Sequence, residues 1–301
     1  MNTPKKVIIT EVGARDGLQN EKMVLAPEIK ARFVDMLSDA GFPQIEVTSF
    51  VNSKWVPQMA NAWEVFKKTH KKKGTRYISL VPNMKGMEEA LKSKVESIAI
   101  FTAASESFTK KNINMSIAES FEAFKIVMDA AKASDIWVRG YISTCFACPY
   151  EGKIAPEKVI DVAEKLITLG VDEISIGDTI GVATPNQVTH LISLLTKKIP
   201  KDKIALHFHD TRGTALANVL AGLQSGISKF DSSAGGLGGC PYAPGAAGNL
   251  ASEDLVYMLQ GMGIETNVNL DKLVEASKFI SKALNRTLPS RYLQAITKTA
   301  C

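Results

Sequence analysis

Eight short runs rich in β-branched and apolar residues recur along the chain, nearly all leading into a longer amphipathic stretch. The runs are Val7–Glu11, Gln44–Thr48, Arg76–Val81, Ser97–Thr102, Trp137–Ser143, Glu173–Gly177, Ile204–His209 and Lys229–Ser232. The helical segments include Pro27–Ala40, Lys85–Ser93, Ser116–Ser134, Pro156–Leu169, Pro185–Lys197, Leu216–Ser225 and Ala251–Met262. Such alternation builds a parallel sheet, because parallel neighbours need a crossover long enough to hold a helix. Eight units are the number that closes on itself, so the expected fold is α/β, a (β/α)8 TIM barrel. Ser116 with Glu119, and Thr184-Pro185 with Gln187, read as helix starts, and Gly41 and Gly170 as left-handed helix ends.

The 301 residues are 45% hydrophobic and 22% charged, enough apolar side chain for a large core and too little charge for disorder. One catalytic barrel over residues 1–262 is expected, with residues 263–301 as a helical extension packed on it, including a run from Leu270 to Leu284. The net charge of +5 suits an anionic substrate but falls short of the basic stripe of a nucleic-acid binder. No apolar stretch approaches the roughly 18 residues of a membrane span. With four cysteines and no leader-like N-terminus, a complete protein of the reducing cytoplasm is expected.

His207 and His209 stand one residue apart at the end of Ile204-Ala205-Leu206. Residues i and i+2 of a strand share a face, so both imidazoles converge as two ligands of one metal would. A lone histidine is more often a core or surface residue; here the company sharpens the reading. Polar residues collect at the C-terminal strand ends, where barrel enzymes place their chemistry. They are Arg15 and Asp16 after the first strand, Glu46 on the second, Ser143 ending the fifth, and Ser175 and Asp178 on the sixth.

Asp16, His207, His209 and Asn249 would offer nitrogen and oxygen to one divalent ion, and two histidines by themselves point to manganese, cobalt or zinc. Asp16 and Asn249 lie beside glycines and are equally at home in turns. Arg15 is either a surface partner of Asp16 or a fork of donors for a developing oxyanion or enolate. The glycine-rich segment from Ser232 to Pro241 matches no phosphate-binding fingerprint and reads as a connector or a mobile lid. Cys240 near its tip could move a proton once water is excluded. Cys145-x-x-Cys148 is a single pair and reads as two small buried residues.

Several blocks together are more specific: Glu11-Val12-Gly13-Ala14-Arg15-Asp16-Gly17-Leu18-Gln19-Asn20-Glu21, Cys148-Pro149-Tyr150-Glu151-Gly152-Lys153, Gly177-Asp178-Thr179-Ile180-Gly181, Gly236-Leu237-Gly238-Gly239-Cys240-Pro241-Tyr242-Ala243 and Gly248-Asn249-Leu250-Ala251. Over about residues 5–290 the chain resembles the 3-hydroxy-3-methylglutaryl-CoA lyases, DRE-TIM metallolyases. It departs from them in Ser233-Ala234-Gly235, where Ser-Val-Ala is expected, in Phe208 between the histidines, and in Arg212. The resemblance implies cleavage of an acyl-CoA to acetoacetate and acetyl-CoA, with Mg2+ or Mn2+ on Asp16, His207, His209 and Asn249. It gives Arg15 the enolate, Cys240 its protonation, and Asp16 or His207 the hydroxyl proton. Glu46, Ser143, Ser175, Asp178 and Glu253 would bind substrate or orient these groups, and Lys110 and Lys111 would meet CoA phosphates. A homodimer in leucine degradation and ketone body formation, with no nucleic-acid or membrane partner, completes the expectation. Its rivals are a sister synthase that forms the bond, and a non-catalytic metabolite-binding barrel.

Overall fold

In the computed structural model, which describes residues 3–239 and 248–298, the eight strands close into one parallel barrel. They are β1 (Ile8–Glu11), β2 (Gln44–Ser49), β3 (Arg76–Leu80), β4 (Ser97–Ala103), β5 (Trp137–Ser143), β6 (Glu173–Asp178), β7 (Ile204–Phe208) and β8 (Lys229–Ser232). Each lies beside its neighbours in the chain, and β1 closes on β8 in a register that pairs Ile8 with Lys229 and Glu11 with Ser232. The barrel is thus the expected one.

The helices are α1 (Pro27–Asp39), α2 (Ala62–Lys68), α3 (Met84–Lys92), α4 (Glu106–Ile113), α5 (Ile117–Ala133), α6 (Pro156–Leu169), α7 (Pro185–Leu195), α8 (Ala215–Gln224), α9 (Ser252–Gly261), α10 (Leu270–Leu284) and α11 (Arg291–Lys298). Both anticipated capping boxes form, and Gly170 ends α6 at φ 102°. Three helices go beyond the sequence reading: α2, α4 and α11, with 7, 8 and 8 residues, span too few turns for a periodic signal. So does a two-stranded hairpin, Ala147–Cys148 with Gly152–Lys153.

Alternate residues of each strand face the helices or the barrel axis. The helix-facing layer is apolar, with Ile9, Ile45, Ile98, Ile174, Ile204 and Phe230 completely buried. The axis is divided. Ile78, Leu80, Ala99 and Tyr141 form a separate apolar cluster, while Arg139, Glu173 and Asp231 bury charge.

Two buried carboxylates hold the loops at the C-terminal mouth. Glu11 accepts hydrogen bonds from Gly13 N–H (2.8 Å), Ala234 N–H (2.9 Å) and the Ser252 hydroxyl. Glu253, in α9, accepts from Gly235 N–H (2.8 Å) and from the hydroxyl of Ser277 in α10. A Cβ on Gly13 would stand 2.6 Å from Glu11 Oε1, so this approach requires glycine. Helix α10 packs on α1, so the C-terminal segment props the same loops from outside.

Burial pushes the Glu11 carboxyl up to about 8 and that of Glu253 up to about 7, against the hydrogen bonds that pull both down. An unfolded glutamate titrates near 4.5, so between that value and about 8 the folded chain holds an extra proton at Glu11. The stability contributed by that proton is complete at the acid end and is lost as pH rises through the window. Glu11→Gln removes this dependence. The difference in unfolding free energy between wild type and variant, from urea titrations, should shrink by at least about 1 kcal/mol from the acid to the alkaline end; a pH-independent difference would show Glu11 ionised throughout.

Candidate metal centre

After β1 the backbone makes one wide π-type turn, Gly13–Gly17, in which Gly17 N–H donates to Val12 O at 3.1 Å. Such turns are rare and concentrate at functional sites. This one carries Arg15 and Asp16. Arg15 Nη1 donates to Asp16 Oδ1 at 2.7 Å, and Nη2 lies 2.7 Å from Glu46 Oε2. Glu46 stands at an irregularity in β2, where the pairing with β3 slips between Glu46 and Thr48; bulges re-aim side chains in this way. The Arg15 guanidinium also lies 5.6 Å from the centre of the Tyr141 ring. Burial opposes the charge on Arg15, but Glu46 and Asp16 outweigh it and keep the guanidinium protonated.

Asp16, His207 and His209 each bring a donor atom to within 4.8 Å of the other two. Asn249 joins them: its Nδ2 donates to Asp16 Oδ2 at 2.8 Å and to Leu237 O at 3.1 Å, and its backbone bridges to His209. Burial would raise the Asp16 carboxyl, yet the charge of Arg15 above all, with the hydrogen bond from Asn249, holds it down at about 2. Burial lowers His209 to about 4, which keeps its ring neutral. An ionised carboxylate and a neutral imidazole are the forms that bind metal. His209 Nδ1 and Asn249 Oδ1 are buried without a hydrogen-bond partner among the described residues. Two nitrogens and two oxygens with unspent acceptor capacity fit a divalent cation.

Behind this cluster runs a chain of buried charge that the sequence reading missed. Lys229 Nζ lies 2.6 Å from Glu173 Oε2, Glu173 Oε1 lies 3.1 Å from Arg139 Nε, and Arg139 Nη2 lies 2.6 Å from Asp231 Oδ1. Asp231 Oδ2 reaches His207 Nδ1 at 3.2 Å and accepts from the Ser175 hydroxyl at 2.9 Å. The signal was there: Arg139 with Tyr141, Glu173 with Ser175, and Lys229 with Asp231 share the i, i+2 spacing of the histidines.

The other expected site residues separate into groups. Ser143 lines a cavity of about 640 Å³ that opens from Arg15, Asp16, His207 and His209. Ser175 touches Asp231, and Glu46 touches Arg15. Asp178 turns away to accept from Val182 and Ala183 N–H at 3.0 and 2.9 Å, fixing the loop after β6. Glu253 sits beneath the glycine-rich segment, and Cys240 and Cys301 lie outside the described residues. Helix α4 lines the cavity with Phe108, Asn112 and Ile113. The hairpin clasps it: Glu151 accepts from the Ser105 hydroxyl and Ser107 N–H, both at 2.7 Å. Cys145 and Cys148 are buried free thiols, and Lys111 Nζ lies 3.8 Å from the centre of the Tyr150 ring.

A closed barrel with an Arg-Asp pair and a carboxylate–imidazole cluster at its mouth belongs to the class of metal-binding barrel enzymes. The HMGL-like family model matches residues 6–280, and the chain belongs to that family. The mitochondrial hydroxymethylglutaryl-CoA lyase of Rattus norvegicus is 56% identical over 98% of this chain and 91% of its own length. The solved hydroxymethylglutaryl-CoA lyase of Pseudomonas aeruginosa superposes with a TM-score of 0.97 at 49% identity, covering 99% of this chain and 100% of that one. An Acinetobacter baumannii HMG-CoA lyase, solved with coenzyme A and 3-methylmalate, superposes at 0.93 with 36% identity, covering 97% and 95%.

Glu46→Ala would leave the Arg15 charge buried with one partner fewer, and breaking such a pair typically costs about 3–5 kcal/mol. Urea unfolding should show a loss of that order. A loss below about 1 kcal/mol would mean that water reaches the guanidinium.

Proposed function

We propose that the chain cleaves 3-hydroxy-3-methylglutaryl-CoA to acetoacetate and acetyl-CoA. The observation that carries the reading is the Asp16–His207–His209 cluster beside Arg15, at the open end of the cavity. Asp16, His207, His209 and Asn249 would hold the cation, Mg2+ or Mn2+, the second being the better match to two imidazoles. When bound, it supplies positive charge that orients the acyl group and makes its C3 hydroxyl more acidic.

The chain's own groups do the rest. Asp16 takes the hydroxyl proton, or His207 does so through Nε2 when that nitrogen is not on the cation; Asp231 strengthens the basicity of His207, whereas Arg15 weakens that of Asp16. As the C2–C3 bond breaks, the electron pair moves into the thioester, and the Arg15 fork stabilises the enolate oxygen. Cys240 then delivers a proton to C2 from the glycine-rich loop. Phe101, Leu80 and Tyr141 give the cavity lining an apolar stretch of wall.

The same reading covers a cytoplasmic homodimer serving leucine degradation and ketone body formation, with residues 263–301 as a buttress of a single catalytic barrel. No helix among the described residues is long and apolar enough to cross a membrane.

Purified protein should form acetoacetate from hydroxymethylglutaryl-CoA, lose this activity to a chelator and regain it with Mg2+ or Mn2+. Release of free CoA from acetyl-CoA and a 2-oxo acid, without acetoacetate formation, would replace cleavage by condensation. Cys240→Ser should lower turnover at least about 10²-fold, as for loss of a positioned acid, with metal content unchanged; near-normal turnover would remove the thiol from the mechanism. His209→Ala should lower bound metal, and unchanged content would break the ligand set.

A further inference from the structure

The two imidazoles of the cluster differ in their surroundings. His207 Nδ1 is engaged by Asp231, whereas His209 Nδ1 is buried with no partner among the described residues. Asp231 is itself immobilised. Its side chain is fully buried, Arg139 occupies Oδ1, and the Ser175 hydroxyl shares Oδ2 with His207. With the Arg139 guanidinium 2.6 Å from Oδ1 and the Ser175 hydroxyl donating to Oδ2, both oxygens of this carboxylate serve as acceptors. Nδ1 of His207 must therefore carry the hydrogen.

We propose that Asp231, anchored by Arg139 and Ser175, is the positioning residue that holds His207 as its Nδ1–H tautomer and leaves an unprotonated Nε2 for the Asp16–His209 cluster. An unprotonated Nε2 serves either task assigned to His207, metal ligand or base; an Nε2–H serves neither. Second partners of this kind orient a ligand ring and raise its basicity, and losing one typically lowers metal affinity about 10–100-fold. The consequence for metal binding rests on the cleft being a metal centre. The tautomer does not.

The first test is the ring-nitrogen NMR spectrum of metal-free protein carrying 15N-labelled histidine, with His207 assigned by His207→Gln, at a pH where the ring is neutral. Nδ1 protonated and Nε2 bare is the expected result, and the reverse tautomer overturns the proposal. The second test is Mn2+ titration followed by electron paramagnetic resonance. Asp231→Asn should weaken binding about 10–100-fold, and an affinity within about twofold of wild type overturns the proposal. Ser175→Ala, which leaves both the carboxylate and Arg139 in place, should weaken binding by a smaller factor and keeps the test available if Asp231→Asn fails to fold; unchanged affinity in the only folded variant also overturns it. Wild-type protein that binds no Mn2+ removes the metal centre itself, which the NMR result distinguishes from a failure of the Asp231–His207 bond.

Discussion

The buried line of charge from Lys229 through Glu173, Arg139 and Asp231 to His207 is the constraint on which the rest of the site depends. An isolated charge in that position would be prohibitively expensive to desolvate, and alternation of sign makes the row tolerable. Removing any one member exposes its neighbours to the full desolvation penalty, which makes the row rigid as well as neutral. A rigid row fixes one imidazole at the mouth to the framework of β5, β6 and β8. Filling that half of the barrel with leucine and isoleucine would match it in volume but would leave His207 free to turn.

A second set of buried carboxylates works at the rim. Glu11 joins the Arg-Asp turn to the root of the glycine-rich segment, and Glu253 joins that root to α10. Each gathers backbone N–H groups that a loop would otherwise present to water, so each loop is tied down by hydrogen bonding rather than by bulk. The C-terminal helices are consequently part of the foundation of the site. Asp254 continues the arrangement, accepting from the Ser290 hydroxyl (2.8 Å) and from Arg291 and Tyr292 N–H (3.0 and 2.8 Å), where α11 begins.

Much of the site was legible because its residues break the local pattern. Histidines closing an apolar strand, and Arg15-Asp16 just beyond another, violate the rule that parallel strands bury apolar side chains on both faces. Arg139, Glu173 and Asp231 break the same rule, but each looks like a surface residue until the closed barrel turns three separate strands toward one axis. Their pairing spans 92 residues between Arg139 and Asp231, and no local spacing encodes it. Glu46 was found by its place on β2, whereas its contact with Arg15 depends on the bulge beside it.

From its sequence alone the chain determines eight strand–helix units, their order and the end of the barrel that carries chemistry, since these follow from local periodicity and chain connectivity. Short helices such as α4, the clasp of Glu151 upon it, and the partners of each buried charge were decided only in the tertiary structure. The physical reason is that desolvation and ion pairing act through space, and closing the barrel sets those distances.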